Sequence, residues 1–204
     1  MKQELSKLKH PVTLKVFINE KDEEKTNKTL STLQMFKENS NEKLNFEIIR
    51  INKRRSTMQQ YQIDSVPAIL FINKEGEELI RYLMAPQGSE VKPFIKALQI
   101  FSGMDNYYEK KLREYLNKIN PSKVRVMVSK SCAYCPELVN IISQFALATS
   151  GKVKAEIIDI IENPDIGNQY NIETVPYTII NDGSPIVGLI NPNELLQELI
   201  INII

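Results

Sequence analysis

The segment Tyr61-Gln-Ile-Asp-Ser-Val-Pro67 returns as Tyr170-Asn-Ile-Glu-Thr-Val-Pro176, an offset of 109 (170 minus 61). Four of the seven positions are identical and the other three are close chemical swaps. Each copy runs into an apolar strand, Ala68 to Ile72 and Tyr177 to Ile180, and each strand reaches a polar turn, Asn73-Lys-Glu-Gly76 and Asn181-Asp-Gly183. Upstream, Leu14 to Ile18 matches Val124 to Val128. A period of this length is too long for a solenoid unit and fits two copies of one domain. The expected units are 1–103 and 104–204, meeting near Ser102-Gly103.

Each half reads alike. The first predicts a short helix around Glu4 to Leu8, a strand Val12 to Ile18, a helix carrying Leu30, Leu33 and Phe36, and a strand Phe46 to Ile51. A short stretch with Met58 and Tyr61 then leads to Val66-Pro67, strands Ala68 to Ile72 and Glu77 to Leu83, and a helix from about Ser89 to Phe101. The second predicts a helix Tyr107 to Ile119, strand 124–128, helix 137–148, strand Lys154 to Ile160, a short connection, strands 177–180 and 185–190, and a last helix from about Asn193. A β-α-β segment followed by a hairpin and a helix gives an α/β unit, a mixed sheet covered on both faces.

The chemistry concentrates in the second half. Cys132 and Cys135, the only cysteines of 204 residues, lie two residues apart just after the strand 124–128. Pro136 follows, then Leu138, Ile141, Ile142 and Phe145 at helical spacing. Proline suits a first helical turn, where its missing N–H has no partner anyway. The pair therefore sits where a strand turns into a helix N-terminus, and free N–H groups there favour a thiolate. Thiol pKa values in such sites fall from about 8.5 towards roughly 3.5–7.5. A thiolate attacks disulfides, and a second cysteine close by resolves the mixed disulfide.

Charge excludes little but directs attention away from polyanions. The 26 basic and 25 acidic residues leave +1, no basis for binding nucleic acid or an anionic membrane. The Met1-Lys-Gln-Glu start lacks a signal-peptide core, and no apolar run reaches about 18 residues. The tail Glu198 to Ile204 is too short to span a bilayer. A cytoplasmic location is expected, where a C-x-x-C is more often redox-active or metal-binding than a staple. No Gly-x-Gly-x-x-Gly or P-loop pattern is present, so no cofactor is expected beyond the cysteine pair.

With the strand, the C-x-x-C and the Val-Pro 44 residues on (176 minus 132), the chain resembles the thioredoxin superfamily. Two such units with one redox centre are similar to protein disulfide oxidoreductases with tandem thioredoxin folds, the glutaredoxin-like group. They are similar also to the N-terminal module of the alkyl hydroperoxide reductase flavoprotein subunit. The resemblance implies two tandem thioredoxin-like folds. It makes Cys132 the exposed nucleophile, Cys135 the buried resolving thiol, and Pro176 a cis-proline packed on the pair. Val175 would offer its backbone to an extended substrate. Asp22 and Lys25 fall where the first half would carry cysteines, as in the flavoprotein module. Pro86-Gln-Gly-Ser-Glu90 resembles a Pro-x-Gly-x-Glu stretch whose glutamate approaches the redox centre, which carries to Glu90. The buried aspartate of single-domain thioredoxins has no counterpart in the six residues before Cys132.

The reading that follows is a thiol–disulfide oxidoreductase acting on protein disulfides. Its donor would be a flavoprotein reductase and one acceptor a peroxiredoxin, with the chain a monomer or homodimer. Competing readings stand beside it. The cysteines could be zinc ligands shared between chains, since His10 is the sole histidine, or an inert buried pair. Ala133 and Tyr134 line the substrate approach, or Tyr134 is an ordinary exposed tyrosine; Glu90 is catalytic, or a first-turn helix carboxylate. His10, in a polar connector, is read as a surface residue without a role. An isomerase needs the same residues at a different redox poise, and a polypeptide-binding adaptor needs no turnover.

Overall fold

Val12–Ile18 alternates inward valine and leucine with Thr13 and Lys15, the period-2 pattern of a strand with one face on a core. In the computed structural model, which describes residues 1–51 and 55–201, it forms β1. Around it lie α1 (Lys2–Leu5), α2 (Glu23–Glu38), β2 (Leu44–Arg50), α3 (Arg55–Gln60), β3 (Ala68–Ile72), β4 (Glu78–Leu83) and α4 (Val91–Phe101). The second half supplies α5 (Glu109–Leu112), β5 (Ser122–Val128), α6 (Cys135–Ala148), β6 (Val153–Asp159), α7 (Pro164–Gln169), β7 (Tyr177–Ile180), β8 (Ile186–Val187) and α8 (Pro192–Ile201). Residues 202–204 of the apolar tail lie outside the described residues. No helix among the described residues is long and apolar enough to cross a membrane.

The two halves pair their strands in corresponding register. Lys15 faces Leu70 across β1 and β3, and Arg125 faces Ile179 across β5 and β7. In both halves the central strand pairs parallel with one neighbour and antiparallel with the other. The halves do not keep separate sheets. β4 pairs parallel with β6, so one mixed eight-stranded sheet runs β2-β1-β3-β4-β6-β5-β7-β8.

A single transverse row crosses this sheet: Glu47, Lys15, Leu70, Arg81, Glu156, Arg125, Ile179. Its charges alternate at the junction. Glu156 takes Arg125 at 3.3 Å, Lys123 at 2.9 Å and Arg81 at 3.8 Å. Arg81 also forks onto Glu78 at 2.7 Å and donates to the Tyr61 and Gln62 carbonyls. A buried guanidinium is tolerated only with its donors filled in this way.

One face of the sheet packs on α1, α2, α4, α5, α6 and α8, and the other on the short segments around α3 and α7. Phe94 of α4 is the aromatic centre of the first half, 5.4 Å from Phe36, 5.7 Å from Phe71 and 5.1 Å from Tyr82 between ring centroids. α4 lies against α6, which tightens the contact between halves.

Three expectations need correction. The helix predicted over Tyr107 to Ile119 is only α5 and a following 3-10 turn, Arg113–Tyr115. Leu112 and Ile119 are the fully buried apolar residues there, with Tyr108 partly buried beside Phe145, too little packing to hold a longer helix. The strand predicted over 185–190 shrinks to Ile186–Val187, because Gly188 turns away at φ +90° and donates its N–H to the Pro176 carbonyl at 2.8 Å. The connection after β6 contains α7, the counterpart of α3.

Candidate active site

β5 ends at Val128 and α6 begins at Cys135, so the loop 129–134 carries the redox residues between them. Cys132 and Cys135 form a disulfide with Cα atoms 5.5 Å apart, inside the ordinary range. Cys132 is half-buried and Cys135 is fully buried among the residues of the helical face. The Cys135 N–H donates to Cys132 Sγ at 3.1 Å. That N–H belongs to the first turn of α6, with Pro136 beside it, so an unpaired helix donor is spent on the sulfur.

The Val175–Pro176 peptide bond is cis, and the Val175 carbonyl oxygen lies 3.7 Å from Cys132 Sγ. Tyr134 is 66 % exposed and Ala133 is exposed, so both stand at the rim. The sequence-read residues Cys132, Cys135, Ala133, Tyr134, Val175 and Pro176 thus meet at one end of the sheet. His10 is exposed at the first half's N-terminal connector and joins none of them.

Glu90 reaches the neighbourhood from the other half. It closes a 3-10 turn, Gly88–Glu90, that sits on the redox loop. The Ser89 N–H and Oγ donate to the Lys130 carbonyl at 3.3 and 2.9 Å. Gly88, at φ +58°, has no room for a side chain: a Cβ would lie 2.9 Å from that carbonyl oxygen. Glu90 itself is completely buried, and neither carboxylate oxygen has a hydrogen-bond partner among the described residues. Burial, and then the charge of Asp159, push its pKa up to about 7. It is therefore no ordinary exposed first-turn carboxylate.

The first half preserves the framework without the sulfurs. Its Val66–Pro67 bond is also cis. Asp22 caps α2 and accepts the Lys25 N–H at 3.1 Å, as Cys132 accepts the Cys135 N–H. Replacing Asp22 by Ala removes that cap and is expected to cost about 1 kcal/mol of stability. A urea midpoint that falls at unchanged slope would register it.

Sequence reasoning missed three neighbours. Asp159 ends β6, is 1 % exposed, and accepts the Ile161 and Glu162 N–H groups at 2.7 and 3.0 Å. Glu162 and Lys130 form an ion pair beside the redox loop. The one available signal was divergence within the repeat, a carboxylate ending β6 where β2 ends in Arg50. Among the described residues no cluster of His, Cys, Asp or Glu fits a metal ion.

Residues 122–201 match the family model of the thioredoxin domain. A thioredoxin of Methanocaldococcus jannaschii is 26% identical over 77 residues, covering 38% of this chain and 91% of that protein. Among solved structures, a domain of the alkylhydroperoxide reductase AhpF from Enterococcus faecalis is 26% identical, with 98% of this chain and 97% of that one covered at a TM-score of 0.87. A protein disulfide oxidoreductase from Aeropyrum pernix shares the fold, at 21% identity, 97% and 88% coverage and a TM-score of 0.81. Residues 122–201 therefore match a thioredoxin domain, and the chain as a whole shares the thioredoxin fold of these structures, similar to proteins of the thiol–disulfide oxidoreductase kind.

Proposed function

We propose that the chain carries electrons to protein disulfides through Cys132 and Cys135. The observation that supports this best is the Cys135 N–H directed at a half-exposed Cys132 Sγ while Cys135 itself is buried. The Cys132 thiolate attacks one substrate sulfur, the substrate S–S bond breaks, and the leaving thiolate takes a proton. The Cys135 thiolate then attacks Cys132 Sγ and expels the second substrate thiol. The net transfer is two electrons and two protons, and the cysteine pair ends as a disulfide.

The remaining roles follow from position. Val175, beside the sulfur, pairs its main chain with an extended substrate segment, and Pro176 holds that segment's approach. Tyr134 and Ala133 meet the substrate at the rim. Glu90 takes the proton of Cys135, since its raised pKa suits transfer near neutral pH. Likeness to the alkylhydroperoxide reductase domain over nearly the whole chain supports a flavoprotein reductase as donor and a peroxiredoxin as acceptor. No further cofactor enters the exchange.

The reduction potential of the pair tests the reading. After equilibration in glutathione buffers, alkylation and weighing, a reductant gives a value near about −270 mV, and an oxidant or isomerase near roughly −180 mV. A pair that never closes to a disulfide overturns the enzyme and leaves a polypeptide-binding module, which the retained cis Val66–Pro67 element would serve.

A further inference from the structure

We infer that Glu162 is a positioning residue of the redox centre, through which the cysteine-less half sets the charge around Cys132 and so its thiol–disulfide equilibrium. The inference rests on the proposed exchange at Cys132 and Cys135. Glu162 lies on the loop between β6 and α7, and its side chain is only 9 % exposed. Three donors converge on that carboxylate. Lys28 of α2 reaches it at 3.0 Å, the Ala85 N–H just past β4 at 3.2 Å, and Lys130 closes the set. A fourth contact runs from Lys25 to the Glu162 carbonyl at 2.9 Å. Three of these four donors belong to the first half, and the fourth stands two residues before Cys132.

Lys130 is also gripped from its other side. Its carbonyl accepts both the N–H and the hydroxyl of Ser89, with Gly88 packed against it. The first half therefore fixes the main chain of the redox loop at Lys130, and its Lys28 shares the Glu162 carboxylate that pairs with the Lys130 side chain. The two nearby ammonium groups outweigh the effect of burial and hold the Glu162 pKa below the usual carboxylate range, so the group is ionised at neutral pH.

The consequence has a sign. Reduction converts the Cys132 sulfur into a thiolate, which nearby positive charge stabilises and negative charge opposes. Glu162→Gln keeps the shape but leaves Lys130 and Lys28 uncompensated, so it favours the reduced pair. Lys28→Gln leaves the Glu162 charge less balanced and favours the disulfide. Lys28 is 41 % exposed, so its loss leaves the core untouched.

The test uses the full chain in glutathione buffers. Two glutathione thiols give two electrons and two protons to the protein disulfide, yielding the dithiol and glutathione disulfide. Alkylation and mass give the equilibrium constant. Glu162→Gln is expected to raise it about threefold and Lys28→Gln to lower it about threefold, the order of magnitude of one solvent-screened unit charge. The pH profile of Cys132 alkylation should move to lower pH in the first variant and to higher pH in the second. Two unchanged constants, or two that move in the same direction as mere loosening would produce, overturn the inference. A parent chain with no reversible disulfide overturns the proposed function and this inference together, whereas a reversible parent with insensitive variants sinks only the inference.

Discussion

Cys132→Ser brings the reduction of a protein disulfide substrate down to the rate of the added reductant alone. Cys132 is the sulfur with access to solvent, and the Cys135 N–H and the Val175 carbonyl both converge on it. A serine hydroxyl in that place is not ionised near neutral pH, so the attack that opens the substrate S–S bond has no nucleophile. Cys135→Ser fails differently. The first attack proceeds, and the chain accumulates as a mixed disulfide heavier by one substrate molecule, because the buried resolving thiol is missing. Mass spectrometry after acid quench separates the two outcomes. Turnover surviving in Cys132→Ser would remove this pair from the mechanism.

Glu90→Gln stabilises the chain at high pH and leaves it unchanged at low pH. The Glu90 carboxyl is pushed up to about 7 by burial and by Asp159, against an ordinary value of 4.5. A raised carboxyl favours the folded state while it is protonated. That contribution is fully present below about 4.5, and it is lost as pH rises through about 7, where the folded chain must ionise a buried group. The interval between the two values corresponds to roughly 3 kcal/mol. Glutamine has no proton to lose, so the variant should gain about that much over the parent by about pH 8 and nothing near about pH 4. Urea unfolding of the oxidised chain at the two pH values measures it, and an equal gap at both would show that Glu90 is not held protonated. The same measurement bears on the redox role, since an acid protonated near neutral pH is the kind that can exchange a proton with Cys135.

The internal repeat made most of the fold legible. Val12 to Ile18, Ala68 to Ile72 and Tyr177 to Ile180 read as strands because their alternation or unbroken apolar character has no competing period, and the structure gives the same bounds. The meeting of Cys132 with Val175 was readable only by resemblance, since nothing local brings residues 43 apart in the chain together. The pairing of β4 with β6 was hidden for a related reason. Ile80 and Ile157 announce buried strands but not which edge each one meets, and the complementarity of Arg81 with Glu156 has meaning only once the register is known. Glu162 sat in a connection that carried no pattern at all, and its importance comes from donors 134, 77 and 32 residues away.

The ladder between β4 and β6 changes what it would mean to separate the two halves. The boundary near Gly103 looks like a seam in the sequence, yet the halves are stitched by backbone hydrogen bonds well away from it. A surgeon's cut at the seam would strip the redox half of the strand that pairs with Ala155 to Ile158 of β6. β6 would then face solvent as a bare edge, and Glu156 would lose Arg81 while keeping Lys123 and Arg125; an unpaired edge is the kind of surface that recruits other chains. The half without cysteines thus covers a sheet edge of the half that carries them.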